Sequence, residues 1–202
     1  MAKLAGIGPE PEGATPLEPD ELGGLRLSYV SSRAQLDAAE FDNMASAANW
    51  IRNEARRGFD EVLTVRFLSA LHKRSFGQVW NWAGSWRRRE TNIGVLAHQI
   101  PTETATALED ARYWHQHETY TVDLIAVRVH HRLVEIHPFP NGNGRTARSL
   151  ADIYLSAAGQ TSFTWGQDAL TSSNLVRKTY IAALQTADRT KNYQPLLEFA
   201  RS

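Results

Sequence analysis

Residues 137–148 read HPFPNGNGRTAR, and they separate two segments that both show helical periodicity. An apolar stripe at three- and four-residue spacing covers residues 121–136. Pro138 ends it, because the residue before a proline avoids the α region. A second helix is predicted to begin near Asn143 and to end at Gly159. The stretch therefore predicts two helices that meet at a short loop rich in glycine and asparagine.

This loop and the start of the second helix have the features of an anion-binding site. Glycines let backbone N–H groups turn toward a ligand, and the first turn of a helix leaves its N–H groups unpaired. Arg145 and Arg148 lie three residues apart on one face of that turn. Each costs roughly a few tenths of a kcal/mol against the helix dipole unless an anion binds there. The pattern favours a polyphosphate ligand. The alternative is that both arginines pair with carboxylates of this chain.

His137 stands at the mouth of the same loop, where the first helix ends. An imidazole exchanges a proton near neutral pH, so His137 is the candidate general base. The alternative is a histidine that only caps the helix, and the adjoining anion site favours the base.

The remaining pattern predicts an all-α fold with one small β-hairpin. Residues 91–100 carry the only convincing strand signal, two very short strands around Gly94. Four prolines among acidic residues predict that residues 1–25 form an extended acidic arm. Further helices are expected in residues 32–51, 63–76, 103–117, 168–187 and 194–200.

Composition excludes several classes of protein. The 202 residues hold 22 Lys and Arg against 22 Asp and Glu. This zero net charge argues against bulk nucleic acid or an anionic membrane as the main partner. The chain has no cysteine, which removes disulfides, zinc–thiolate sites and thiol nucleophiles. No apolar run approaches the ~18 residues of a membrane span, and the N-terminus lacks a secretory signal. We expect a cytoplasmic location.

The stretch at 137–148 resembles the signature of Fic-domain proteins, His-x-Phe-x-(Asp/Glu)-Gly-Asn-Gly-Arg-x-x-Arg. Every fixed position matches except the acidic one, which is Asn141. The resemblance covers roughly residues 60–160, and within the family the whole chain looks most like the short group called mobile mystery protein B. It implies a single Fic-type helical domain over residues 26–202, with a β-hairpin flap. The matching upstream positions are Leu71-His72, Phe76-Gly77, Trp82-Ala83-Gly84 and Arg87.

The family typically transfers AMP from ATP to a Ser, Thr or Tyr hydroxyl of a target protein. The resemblance implies that His137 deprotonates this hydroxyl and that Phe139 anchors the loop in the core. The flap residues Thr91, Asn92, Ile93 and Gly94 would dock the target. The triphosphate would be held by Gly142, Asn143, Gly144, Arg145 and Arg148.

Asn141 is one departure from the family pattern. The acidic residue of the signature coordinates Mg²⁺ between the α- and β-phosphates, whereas asparagine offers only a neutral oxygen. We therefore expect weak binding of Mg²⁺ or Mn²⁺ at Asn141, and slower transfer or a changed reaction.

The second departure concerns inhibition. Many Fic proteins carry the inhibitory motif Ser/Thr-x-x-x-Glu-(Gly/Asn). Glu12 is the only glutamate followed by Gly or Asn, and Gly8 stands four residues before it. Three explanations remain open: a separate antitoxin protein inhibits the enzyme, the enzyme is unrestrained, or Asn141 already makes it weak. The resemblance to the mobile mystery protein B group, which belongs to mobile elements, favours the antitoxin.

Other functions stay open at this point. Fic-related kinases of the Doc type have Lys where this chain has Gly144, which favours nucleotide transfer over phosphate transfer. Transfer of UMP or phosphocholine is an alternative, since the loop does not select the base. A degenerate fold that binds nucleotide or a partner protein without catalysis is another. A metal-dependent phosphohydrolase would use His130, His131 and His137. Glu135 is the candidate further ligand but faces another side of the helix, and no His-Glu-x-x-His motif is present.

Overall fold

The structure is a computed structural model that describes residues 19–166 and 173–202. Within these residues it is helical, without a β-strand, and Leu25 and Trp80 form an isolated antiparallel bridge. None of its helices combines the length and apolarity needed to cross a bilayer. The helices of the described residues are α1 Pro19–Leu22, α2 Arg33–Ser46, α3 Ala48–Ala55, α4 Phe59–Val62, α5 Val65–Phe76, α6 Ile100–Gln116, α7 Val122–Ile136, α8 Asn143–Ala157, α9 Ser173–Thr190 and α10 Gln194–Arg201.

Helices α7 and α8 form the centre of the bundle, with α3 to α6 and α10 packed around them. The apolar stripe of α7 is buried from Ile125 to Ile136, and Leu150 and Tyr154 of α8 are fully buried against the same core. Burying one such side chain stabilises the fold by roughly 1.5–3 kcal/mol. The two helices on either side of the 137–142 loop are therefore held in place by the main hydrophobic core.

The helix boundaries around the candidate site follow from local residues. Thr121 caps α7 by accepting a hydrogen bond from the Leu124 N–H at 3.3 Å, and the helix ends at Ile136, before Pro138. Gly142 is the N-cap of α8, with a φ of 76° that favours glycine. The predicted start of the second helix at Asn143 is confirmed.

The predicted β-hairpin at residues 91–100 is wrong. This segment is a series of bends followed by a 3-10 turn, Ala97–Gln99, and α6 begins at Ile100. Its backbone groups form no ladder between residues 91–94 and 97–100, and some of them bond to other parts of the chain. The N–H of Val95 donates to the carbonyl of Ile136 at 3.3 Å, and the N–H of Ala97 donates to the Glu90 carboxylate at 2.9 Å. We call residues 89–96 the site loop.

Part of the predicted acidic arm lies outside the described residues. Its end is not extended, because Pro19–Leu22 form the short helix α1. Glu21 is buried there: its carbonyl accepts a hydrogen bond from Trp82 Nε1 at 2.9 Å, and its carboxylate lies 2.7 Å from Arg89. Proline is compatible with the first turn of a helix. The proline and acidic composition alone therefore did not distinguish an extended arm from a short helix.

The two predicted C-terminal helices are present as α9 and α10. The prediction placed the start of the first at residue 168, which lies outside the described residues. Helix α10 packs against α7 and α9 and completes the core that supports the site.

Candidate active site

His137 follows α7 directly and takes the left-handed conformation, with φ 55° and ψ 59°. Its N–H still donates to the carbonyl of Leu133 at 3.0 Å, so it closes the helix and turns the chain into the loop. A non-glycine residue in this conformation is strained by roughly 1–3 kcal/mol, and such residues cluster at functional sites. The side chain is only 7% exposed.

Burial, together with the nearby cations Arg87 and Arg89, lowers the pKa of His137 to about 4. Its Nδ1 lies 3.4 Å from the carbonyl oxygen of Val134. A carbonyl oxygen accepts only from an N–H, so this contact places the proton on Nδ1 and the lone pair on Nε2. The imidazole is thus uncharged at neutral pH, as a general base requires.

Phe139 fixes the middle of the loop between α7 and α8. Its side chain is fully buried and stacks on His72, with ring centroids 3.8 Å apart. The Asn143 side chain holds its backbone twice: Oδ1 accepts from the Phe139 N–H and Nδ2 donates to the Phe139 carbonyl, both at 2.8 Å. Because the side-chain amide of Asn143 braces the loop, its backbone N–H is the donor that it offers to an anion at the start of α8.

His72 also supports the loop between α7 and α8. The Gly84 N–H donates to its Nδ1 at 2.9 Å, so the proton sits on Nε2 and donates to the Asn141 carbonyl at 3.0 Å. Burial lowers the pKa of His72 to about 3, so this tautomer persists across the neutral range. Residue-by-residue reasoning missed His72, and the only sequence signal was its place in the Leu71-His72 match.

The amino end of α8 presents unpaired donors. Among residues 19–166 and 173–202, the backbone N–H groups of Asn143, Gly144 and Arg145 have no acceptor. The Thr146 N–H is the first to bond within the turn, to the Gly142 carbonyl at 2.9 Å. Three free donors at the positive end of a 15-residue helix can bind an anion.

The two motif arginines have different surroundings. Arg145 Nη1 lies 2.7 Å from the carboxylate of Glu40 on α2, and its guanidinium lies 4.7 Å from the centre of the Phe76 ring. Arg148 lies over Tyr180 at 5.4 Å and has no carboxylate within ion-pair distance in the described part of the chain. The alternative of two carboxylate partners therefore holds for Arg145 only. Glu40 was missed because it lies 105 positions away in sequence.

Asn141 offers little to a metal ion. Its side-chain oxygen already accepts a hydrogen bond from the Gly142 N–H. No group of three or more His, Cys, Asp or Glu side chains in the described residues could hold a metal. The chain can thus supply one neutral oxygen at this position, and most ligands would have to come from phosphate oxygens and water.

His130 and His131 have partners away from the loop. His130 Nε2 lies 3.0 Å from the Tyr180 hydroxyl, and His131 Nε2 lies 2.8 Å from the Asp188 carboxylate. Both partners belong to α9, so these histidines join α7 to α9. They do not converge with His137 on a metal site, and the phosphohydrolase alternative has no support in this geometry.

The site loop runs beside His137. Asn92, Ile93 and Gly94 are exposed, and the hydroxyl of Thr91 donates to the Ile93 carbonyl. A Cβ atom added to Gly94 would lie 2.8 Å from the Cβ of His137. The predicted docking segment is therefore next to the candidate base, although it is not a hairpin.

Known proteins match this chain over the segment that carries the candidate site. Residues 62–155 match the Fic/DOC family. The chain is 32% identical over 102 residues to the protein adenylyltransferase Fic of Drosophila virilis, covering 48% of this chain and 21% of that protein. With the Drosophila melanogaster protein of the same name it shares 32% identity over 143 residues, covering 65% and 28%. The chain thus spans about a quarter of the length of these relatives.

Solved structures share the fold. The Bartonella tribocorum effector BepC, solved with bound AMPPNP, has a TM-score of 0.67 at 18% identity and covers 91% of this chain and 97% of its own. A Fic-domain signalling protein from Bacteroides thetaiotaomicron has a TM-score of 0.64 at 19% identity, covering 93% and 82%.

Proposed function

The chain belongs to the Fic/DOC family through residues 62–155, and we propose that it is a protein adenylyltransferase that moves AMP from ATP to a hydroxyl group of a target protein. One observation carries the proposal: an uncharged histidine and the donor-rich start of α8 are the two ends of one five-residue loop. The adenylyltransferase name of the Drosophila relatives and the AMPPNP bound to the Bartonella neighbour support it.

The transfer step uses His137 as the base. Its Nε2 takes the proton of the target hydroxyl while the hydroxyl oxygen attacks the α-phosphorus of ATP. The bond from this phosphorus to the oxygen that bridges the α- and β-phosphates breaks, and pyrophosphate leaves. The products are the AMP ester of the target and protonated His137. The lowered pKa of His137 keeps the base form available at neutral pH, and it also makes the proton easy to release afterwards.

The triphosphate occupies the start of α8 in this proposal. The free N–H groups of Asn143, Gly144 and Arg145 donate to its oxygens, and the guanidinium groups of Arg145 and Arg148 lie on the same helical turn. These groups act by positioning and by stabilising charge, which is where catalysis of transfer at phosphorus comes from. A divalent cation enters as part of the ATP complex, since Asn141 offers it one neutral oxygen.

The target protein docks on the site loop. Its exposed residues 92–94 present backbone close to His137, so a segment of the target lying along them would bring its hydroxyl to the base. Two points remain predictions: the docking role of residues 91–94, and inhibition by a separate antitoxin protein.

The test is transfer of label from ATP marked at the α-phosphate, with Mg²⁺ or Mn²⁺ and a bacterial lysate. We expect labelled protein bands with the wild-type chain, none with His137→Ala, and unchanged labelling with His117→Ala, which alters an exposed histidine at the carboxyl end of α6, away from the predicted docking segment. If no band is labelled while calorimetry still shows ATP binding, the proposed transferase activity is wrong and the chain is a non-catalytic nucleotide-binding protein. Label transferred only from the γ-phosphate would indicate phosphate transfer, and label from UTP alone would indicate UMP transfer.

A further inference from the structure

Three consecutive arginines, Arg87, Arg88 and Arg89, lie in three different environments. The Arg87 side chain is fully buried, Arg88 is exposed, and Arg89 pairs with Glu21 at 2.7 Å. A run of three basic residues in the sequence thus contains one arginine enclosed by the fold. A buried cation is costly unless its donors are satisfied, so the partners of Arg87 reveal its role.

One side of the Arg87 guanidinium bonds to the end of α7. Its Nε donates to the carbonyl of His137 at 2.7 Å, and its Nη2 lies 3.4 Å from the carbonyl of Ile136. These carbonyls have no partner within the helix, and a cation is favourable at this negative end of the helix dipole. Arg87 therefore fixes the backbone that carries the candidate base.

The other side of the same guanidinium bonds to the site loop. Nη1 donates to the carbonyl of Arg89 at 2.7 Å, and Nη2 also donates to the carbonyl of Val95. These two carbonyls stand at the two ends of the loop. The carboxylate of Glu90, 3.7 Å from Nη1, balances the charge.

Gly94 allows this close approach. Its φ is 110°, and an added Cβ would lie 2.6 Å from Arg87 Nη2 and 2.8 Å from the Cβ of His137. The loop, the guanidinium and the base are thus in direct contact, with no room for a side chain between them.

We propose that Arg87 is a positioning residue that holds the site loop and His137 in one fixed arrangement, so that a target protein lying on the loop meets the base. The inference rests on the proposed function for its kinetic consequence, but its structural part does not. Lysine cannot replace Arg87, because a single ammonium cannot reach four carbonyls that the planar fork of arginine reaches at once.

The kinetic test compares Arg87→Lys with Arg88→Lys, the matched change at the exposed neighbour. The purified target found with α-labelled ATP serves as the acceptor. We expect Arg87→Lys to raise the KM for the target at least tenfold, with the KM for ATP within twofold of wild type, and Arg88→Lys to change neither. Equal increases in both KM values, or a loss confined to kcat, would overturn the proposal.

A second test needs no activity. Amide hydrogen exchange followed by NMR reports the Val95 N–H, which bonds to the Ile136 carbonyl. We expect protection of this amide in the wild-type chain and at least a tenfold loss in Arg87→Lys. An unprotected Val95 amide in the wild-type chain would contradict the tethered loop even where Arg87→Lys fails to fold. If wild type transfers no AMP, the proposed function fails, and exchange still decides the role of Arg87.

A matched pair of glycine variants approaches the same contact from the loop. Gly94 and Gly58 both have positive φ, but an added Cβ at Gly58 meets nothing within 4 Å. Both alanine variants therefore carry the backbone strain, and only Gly94→Ala forces the loop away from Arg87 and His137. We expect the loss of Val95 protection in Gly94→Ala alone, and the same loss in Gly58→Ala would overturn the inference.

Discussion

Arg145 Nη1 lies 2.7 Å from one carboxylate oxygen of Glu40, and the other oxygen of Glu40 accepts a hydrogen bond from Trp80 Nε1 at 2.6 Å. Glu40 is buried, whereas the Arg145 side chain is 31% exposed. The remaining N–H groups of the guanidinium can still reach a phosphate, because arginine has five donors. Glu40 thus orients Arg145 and also cancels its charge at the candidate phosphate site.

Replacing Glu40 by Gln should tighten ATP binding. The amide oxygen still accepts from Trp80, but the negative charge beside Arg145 is removed. We expect the Kd for ATP to fall about threefold to tenfold, which corresponds to roughly 1 kcal/mol, as measured by calorimetry. Asp37→Asn, an exposed change on the same helix, serves as the control and should leave the Kd unchanged. Weaker ATP binding by Glu40→Gln would mean that orientation of Arg145 outweighs its charge.

The two motif arginines should differ in their effect on stability. Arg145→Gln leaves the buried Glu40 carboxylate without a cation, and breaking such a pair typically costs about 3–5 kcal/mol. The partial exposure of Arg145 places our expectation at the lower end, about 3 kcal/mol. Arg148→Gln breaks no ion pair in the described residues and should cost under about 1 kcal/mol. Urea unfolding measures both, and equal losses would contradict the asymmetry.

Asn141→Asp should restore metal binding. The carboxylate can accept the same Gly142 N–H and adds a charged ligand for Mg²⁺. A negative charge beside the amino end of α8 is also favourable by roughly 0.3–1 kcal/mol. We expect a higher Mg²⁺ affinity, faster transfer at limiting Mg²⁺ and slightly higher stability. An unchanged or lower rate at limiting Mg²⁺ would contradict the prediction.

Stability should fall on acidification below about pH 6.5. Burial lowers the pKa of His72 to about 3, and burial and nearby arginines lower the pKa of His137 to about 4, from an ordinary 6.5. Between pH 6.5 and 4 the unfolded chain therefore binds more protons at these histidines than the folded chain does. Each excess proton lowers the free energy of unfolding by about 1.4 kcal/mol per pH unit.

Asp152 opposes this trend, because burial raises its pKa to about 6 and the folded chain then holds its proton longer. Between about pH 6 and 4, the proton held by folded Asp152 offsets the proton that one of the two histidines lacks. The unfolded chain still binds about one proton more than the folded chain, so the free energy of unfolding still falls. Urea unfolding at pH 7.5, 6.5, 5.5 and 4.5 measures the slope, and Asp152→Asn should steepen it. A free energy of unfolding that stays constant or rises toward pH 4.5 would contradict the assignment of these histidines as uncharged.

The sequence by itself determined the helix–loop–helix at 121–159. The apolar stripe, the cap at Thr121, the stop at Pro138 and the positive φ at Gly142 are set by residues within a few positions of each other. Such local preferences act in any fold, so α7, the loop and the start of α8 could be predicted. The anion-binding character of that start followed from the same local rules.

Only the tertiary structure decided what each polar side chain faces. Periodicity predicts which side of a helix is apolar, but it does not predict contacts between distant residues. These include the ion pair of Glu40 with Arg145, the hydrogen bond from His72 to the Asn141 carbonyl, and the hydrogen bonds from Arg87 to the site loop. Residues 91–100 have strand-like composition, yet a hairpin needs their backbone groups to pair with each other, and here Ile136 and Glu90 take two of those N–H groups. Contacts between distant residues exist only once the helices pack, because packing is what brings their side chains within bonding distance.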